Sequence, residues 1–76
     1  MSKWVPCKRR DLIRRLKKLG FTDPVPGAKH EFMRYGRYKQ TISNNPCYDV
    51  NELRMLIEQI EEKLGRKISA DEWNKL

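Results

Sequence analysis

Residues 29–43 read KHEFMRYGRYKQTIS. Two runs rich in aromatic and β-branched residues, KHEFMRY and RYKQTIS, surround Gly36, a pattern that predicts an antiparallel hairpin. Side chains alternate along a strand, so the length of the turn decides which of them face inward. A two-residue Gly36-Arg37 turn groups Met33, Tyr35, Tyr38 and Ile42 on one face and His30, Phe32, Arg34, Lys39, Thr41 and Ser43 on the other. A three-residue turn would instead bring Phe32, Tyr38 and Ile42 to the core side. The first separates apolar from polar residues better and is the expected register.

Upstream of the hairpin, FTDPVPGA contains Pro24 and Pro26, which cannot donate ladder hydrogen bonds, so any strand there is short or at an edge. Before it, CKRRDLIRRLKKLGF places Leu12, Ile13, Leu16 and Leu19 at helical spacing, with Gly20 as the C-terminal cap. Downstream, SNNPCYD has turn composition, and Asp49 followed by Glu52 opens a second helix with the stripe Leu53, Leu56, Ile57, Ile60 and Leu64. Gly65 ends that helix. Ser69 and Glu72 form a second capping box, with Ile68 and Trp73 as its hydrophobic staple, and predict a short third helix. The expected architecture is one α+β domain over residues 1–76: a small three-stranded antiparallel sheet, its first strand short, covered on one face by two helices, plus a short C-terminal helix.

Seventy-six residues leave little room for an enclosed cavity, so chemistry is expected on a surface or shallow groove, which suits a polymeric substrate. The net charge is +7, unevenly spread. Residues 1–39 hold 12 Lys and Arg against 3 Asp and Glu (net +9), whereas residues 40–76 hold 5 against 7 (net −2). Such a basic half points to polyanions, although a solvated helix face is the plain alternative. MSKWVPCKRR lacks the apolar run of a signal peptide and no segment is apolar enough to span a membrane, so a cytoplasmic protein with no membrane association is expected. Cys7, Cys47 and one histidine do not make a tetrahedral zinc set, and free thiols with no metal and no cofactor are expected.

His30 is the only histidine in the chain. At the entrance to a strand it reads as an ordinary polar residue, a proton-transfer group or one metal ligand. Lys29, Arg34 and Lys39 favour the second, since they offer phosphate contacts beside a group able to take a proton from a ribose 2′-hydroxyl. Arg9, Arg10, Arg14, Lys17 and Lys18 on the first helix are further candidates for RNA contact. Tyr35 and Tyr38 are expected to pack rather than to stack on bases.

GFTDPVPGAKHEFM, preceded by PCKRRDLIRRLKKL and followed by RYKQTIS, resembles the HicA-type mRNA interferase toxins over residues 6–60. Members of that family have a helix ending in Gly-aromatic, then Gly-Ser/Ala-x-His opening the second strand. The resemblance implies a double-stranded RNA-binding-domain-like α-β-β-β-α fold and metal-independent endoribonuclease activity on single-stranded or messenger RNA. It also implies a HicB-type antitoxin as protein partner in a type II toxin–antitoxin system. It places the catalytic role on His30, the turn glycine on Gly27 and the small residue after it on Ala28. Many members carry a second histidine beside the first and another after the third strand, where this chain has Lys29 and Pro46-Cys47-Tyr48. A non-catalytic RNA-binding module is the competing expectation.

Overall fold

A computed structural model describes residues 3–76. Its elements are β1 (Cys7–Lys8), α1 (Arg9–Leu19), β2 (Glu31–Tyr35), β3 (Tyr38–Ile42), β4 (Cys47–Tyr48), α2 (Val50–Leu64) and α3 (Ala70–Lys75). The chain is a small α+β fold with two antiparallel strand pairs, β1–β4 and β2–β3.

The hairpin closes with Tyr35 opposite Tyr38 and Met33 opposite Gln40, which is the two-residue Gly36-Arg37 turn. Gly36 has φ 59° and no other type of residue in the described chain has positive φ, so only the first turn position is left-handed. A turn with a left-handed glycine first and an ordinary second residue matches the right-handed twist of the flanking strands. Met33 and Ile42 are therefore fully buried, while Arg34, Lys39 and Thr41 are exposed.

The first strand of the expected sheet is reduced to one residue. Val25 forms an isolated bridge with Phe32, exchanging both backbone hydrogen bonds at 2.8 and 3.0 Å. Pro24 and Pro26 on either side have no N–H to extend it. Thr22 adds a bond from its N–H to the Arg34 carbonyl at 2.8 Å, but the chain takes three steps from Thr22 to Val25 against two from Arg34 to Phe32. That extra residue breaks the ladder as a bulge does.

β1 and β4 were not foreseen as strands. Cys7 pairs with Tyr48 and Lys8 with Cys47, and the next residue, Arg9, donates its backbone N–H to the Pro46 carbonyl at 3.0 Å. This contact supplies a partner at the start of α1, where Lys8 makes no side-chain cap. At the other end, Gly20 is left-handed, its N–H reaches the Lys17 carbonyl, and the Phe21 N–H reaches the Leu16 carbonyl, each at 3.0 Å. This is a Schellman cap, and the buried pair Leu16 and Phe21 provides its apolar contact.

α2 begins at Asp49, whose carboxylate accepts from the Glu52 N–H at 2.8 Å, and α3 at Ser69, whose hydroxyl accepts from the Glu72 N–H at 3.1 Å. Ile68 and Trp73 are both buried, as a staple requires. Leu12 and Leu16 of α1, Leu53, Ile57 and Ile60 of α2, Trp73 of α3, and Met33 and Ile42 of the hairpin form one core. Gln40 is the buried polar exception. It faces inward between Tyr38 and Ile42, accepts from the Tyr38 hydroxyl, and donates to the Thr41 carbonyl at 3.0 Å and to Gln59 at 3.1 Å.

Candidate nucleic-acid interface

The outward face of the hairpin follows from the register. Phe32 lies opposite Thr41, and Arg34 opposite Lys39. Lys39 holds its ammonium nitrogen 4.3 Å from the Phe32 ring centre and Arg34 its guanidinium carbon 5.5 Å from it. Neither cation has an ion-pair partner among the described residues. Two exposed positive charges are thus gathered over one half-buried aromatic ring.

His30 lies one residue before β2, in the bend at 28–30, and is exposed. Its side chain makes no hydrogen bond or ion pair within the described chain. The loop reaches it through Gly27, where a Cβ would stand 2.3 Å from the His30 carbonyl oxygen, closer than any side chain tolerates. Lys29 is exposed, and its carbonyl accepts from Asn44 at 3.4 Å. Ala28 is exposed and lines the same bend. At strand spacing, His30 and Arg34 lie about 13 Å apart along the backbone. Arg34 and Lys39 lean toward the histidine end over Phe32.

The basic helix divides into engaged and free cations. Arg9 belongs to the fold: its Nε donates to the Ser43 carbonyl at 3.1 Å and its guanidinium pairs with Glu31, leaving the side chain only 23% exposed. Glu31 follows His30, and Ser43 follows Ile42, the residue paired with Glu31. Arg9 therefore pins the open end of the hairpin. The second anchor is Tyr48, whose hydroxyl accepts from the Ser43 N–H. Burial pushes the Tyr48 phenol up, with the Ser43 backbone bond and Arg9 pulling the other way.

Arg14 donates to the Leu76 carbonyl at 3.0 Å and lies near Asp11, and Lys17 pairs with Asp23 at 2.6 Å. Arg10 and Lys18 have no ion-pair partner among the described residues. These four side chains surround the half-buried Ile13 on the outer side of α1.

Tyr38 is half-buried, whereas Tyr35, on the same parity as Met33, is 41% exposed because it lies at the turn end of the hairpin, and both rings meet Phe21. Tyr35 stacks at a tilt on Phe21 with ring centres 5.4 Å apart, and Tyr38 meets the same ring edge-on at 6.2 Å. Phe32, on whose ring both cations gather, is not among the residues singled out from the sequence. The available signal was an aromatic side chain on the otherwise polar parity of the hairpin.

Cys7 and Cys47 are free thiols, Cys7 buried and Cys47 exposed. Burial pushes the Cys7 thiol up, against the attraction of Arg15. Among the described residues no cluster of three or more His, Cys, Asp or Glu side chains could hold a metal ion, and no helix is long and apolar enough to cross a membrane. No family model, curated protein or solved structure matches the chain.

Proposed function

We propose that the chain is a metal-independent endoribonuclease of the HicA type, the toxin of a type II toxin–antitoxin pair acting on mRNA in the cytoplasm. In this reading Val25 is the remnant of the first strand of a double-stranded RNA-binding-domain-like α-β-β-β-α order. The observation that carries the proposal is the exposed imidazole of His30 at the entry to a strand whose outward side gathers Arg34 and Lys39 over Phe32. His30 takes the proton of a ribose 2′-hydroxyl, and that oxygen attacks the adjacent phosphorus. The bond to the 5′-oxygen of the next nucleotide breaks, leaving a 2′,3′-cyclic phosphate, while a lysine, a tyrosine or water protonates the departing oxygen. Lys29, Arg34 and Lys39 stabilise the charge on the phosphate oxygens. A HicB-type antitoxin would cover this face.

A non-catalytic RNA-binding module is the second reading, favoured because no side chain or backbone group among the described residues is hydrogen-bonded to the His30 imidazole to orient it. The two separate in one assay with purified protein and a defined RNA, run in the presence of chelator. The nuclease cuts that RNA, spares the same strand with a 2′-deoxy sugar at the cut site, and loses cutting but not binding on His30→Ala. Binding without cutting by the wild type selects the module.

A further inference from the structure

We infer that Phe32 is the platform on which the protein stacks one base of a single-stranded RNA, with Arg34 and Lys39 moving from its ring onto the phosphates beside that base. The inference deepens the RNA-directed reading above and rests on it, adding the residue that meets the base.

Phe32 has no role in the core. Its neighbours in alternation, Met33 and Ile42, face inward and are fully buried, whereas Phe32 lies on the outward side opposite Thr41 and stays half-buried. Leaving an aromatic ring partly in water forgoes burial that an inward position would gain, so a ring retained on this side is open to a ligand. The preceding loop, whose Val25 is the cross-strand neighbour of Phe32, leaves one place beside the ring open. At Gly27 a Cβ would stand 3.4 Å from Phe32 Cδ1, and glycine leaves that place bare.

The charges over the ring complete a site with the two parts of a nucleotide in mind. An aromatic face accepts any base by stacking, and cations at its rim meet the backbone phosphates. Lys39 at 4.3 Å and Arg34 at 5.5 Å from the ring centre are both exposed, so a base can displace them without breaking an ion pair. Tyr35 is 41% exposed but lies on the opposite face from Arg34 and Lys39 and packs on Phe21, as Tyr38 does, so neither ring stands beside those two cations. A duplex would not present an unstacked base to a ring lying on a strand, so the ligand is single-stranded.

The test compares two polyanions of matched charge, an uncleavable 2′-O-methyl oligoadenylate of about twelve nucleotides and inorganic polyphosphate, which has phosphates but no bases. Stacking of one base predicts that Phe32→Leu weakens oligoadenylate binding about 5- to 100-fold and leaves polyphosphate binding unchanged, while Phe32→Tyr restores the first. Phe32→Trp gives an independent reading: its emission in excess of the wild type is quenched by oligoadenylate and not by polyphosphate. If the wild type binds oligoadenylate but Phe32→Leu weakens both ligands equally, or neither, the stacking role is overturned and the RNA-directed reading stands. Equal quenching of Phe32→Trp by both ligands overturns it likewise. Failure of the wild type to bind oligoadenylate at low salt overturns both.

Discussion

The two faces of the β2–β3 hairpin are built from alternate residues of the same ten, yet they do opposite things. Met33 and Ile42 are sealed into the core, and Gln40 beside them has its amide hydrogen-bonded on both sides. Phe32, Arg34, Lys39 and Thr41 face water with contacts that are soft and exchangeable. Period-2 alternation thus separates a face that cannot be altered without loss of stability from one that can be remodelled around a ligand. The α1 helix repeats the division on its polar surface, where Arg9 is tied to the hairpin and Arg10 is free.

The comparison is broken most severely by exchanging a residue from each face. His30→Ala is expected to lower RNA cutting about 10²- to 10⁴-fold, the usual range for a positioned general base. Its thermal midpoint should stay near that of the wild type, since an exposed side chain without partners contributes within about 0.5 kcal/mol. Met33→Ala should do the reverse. Its fully buried side chain implies a loss of about 2–5 kcal/mol, readable as a fall of roughly 10 °C or more in thermal midpoint. A stable Met33→Ala, or an unfolded His30→Ala, would mean that the two faces are not divided in this way.

Arg9 tests the boundary between them. Removing it leaves the Ser43 carbonyl and the Glu31 carboxylate without their charged donor, so Arg9→Ala should cost about 1–3 kcal/mol in urea denaturation. Lys17→Ala breaks only an exposed pair with Asp23 and should cost under about 1 kcal/mol. Equal losses for the two variants would show that Arg9 does not fasten the hairpin.

The smallest effect is on salt dependence. Replacing both Arg10 and Lys18 with Gln removes the two α1 cations that, among the described residues, neither pair with an acid nor, like Arg15, pack on Trp73. If both meet phosphates, the slope of log affinity against log salt should flatten by roughly 1.4, about 0.7 for each contact on a single strand. An unchanged slope would assign that side of α1 to solvation alone.

The features legible in the sequence were those specified by near neighbours. Asp49 with Glu52, Ser69 with Glu72, and Leu16-Gly20-Phe21 each make a helix end within a few residues, and Gly36 with its flanking parity determined the hairpin register. The β1–β4 pair was hidden because two residues have no measurable period and their partners come from opposite sides of the hairpin. Arg9 looked like its basic neighbours because its distinction depends on the position of Glu31 and Ser43 in space. His30 was recognisable as the sole imidazole, but the separation of Arg34 and Lys39 from it along the strand, and their gathering on Phe32, required the fold.

The short β1–β4 ladder also has a consequence in time. The helices and the hairpin can form from contacts close in the chain, whereas Cys7 meets Tyr48 only after the whole intervening segment has been closed into a loop, an entropic cost that grows with its length. The Arg9 N–H waits for the Pro46 carbonyl until that moment. Docking of β1 on β4 therefore belongs to the late side of the folding barrier. Weakening it, as in Cys7→Ala, which trims the buried β1 side chain paired with Tyr48, should accelerate unfolding while leaving the refolding rate nearly unchanged.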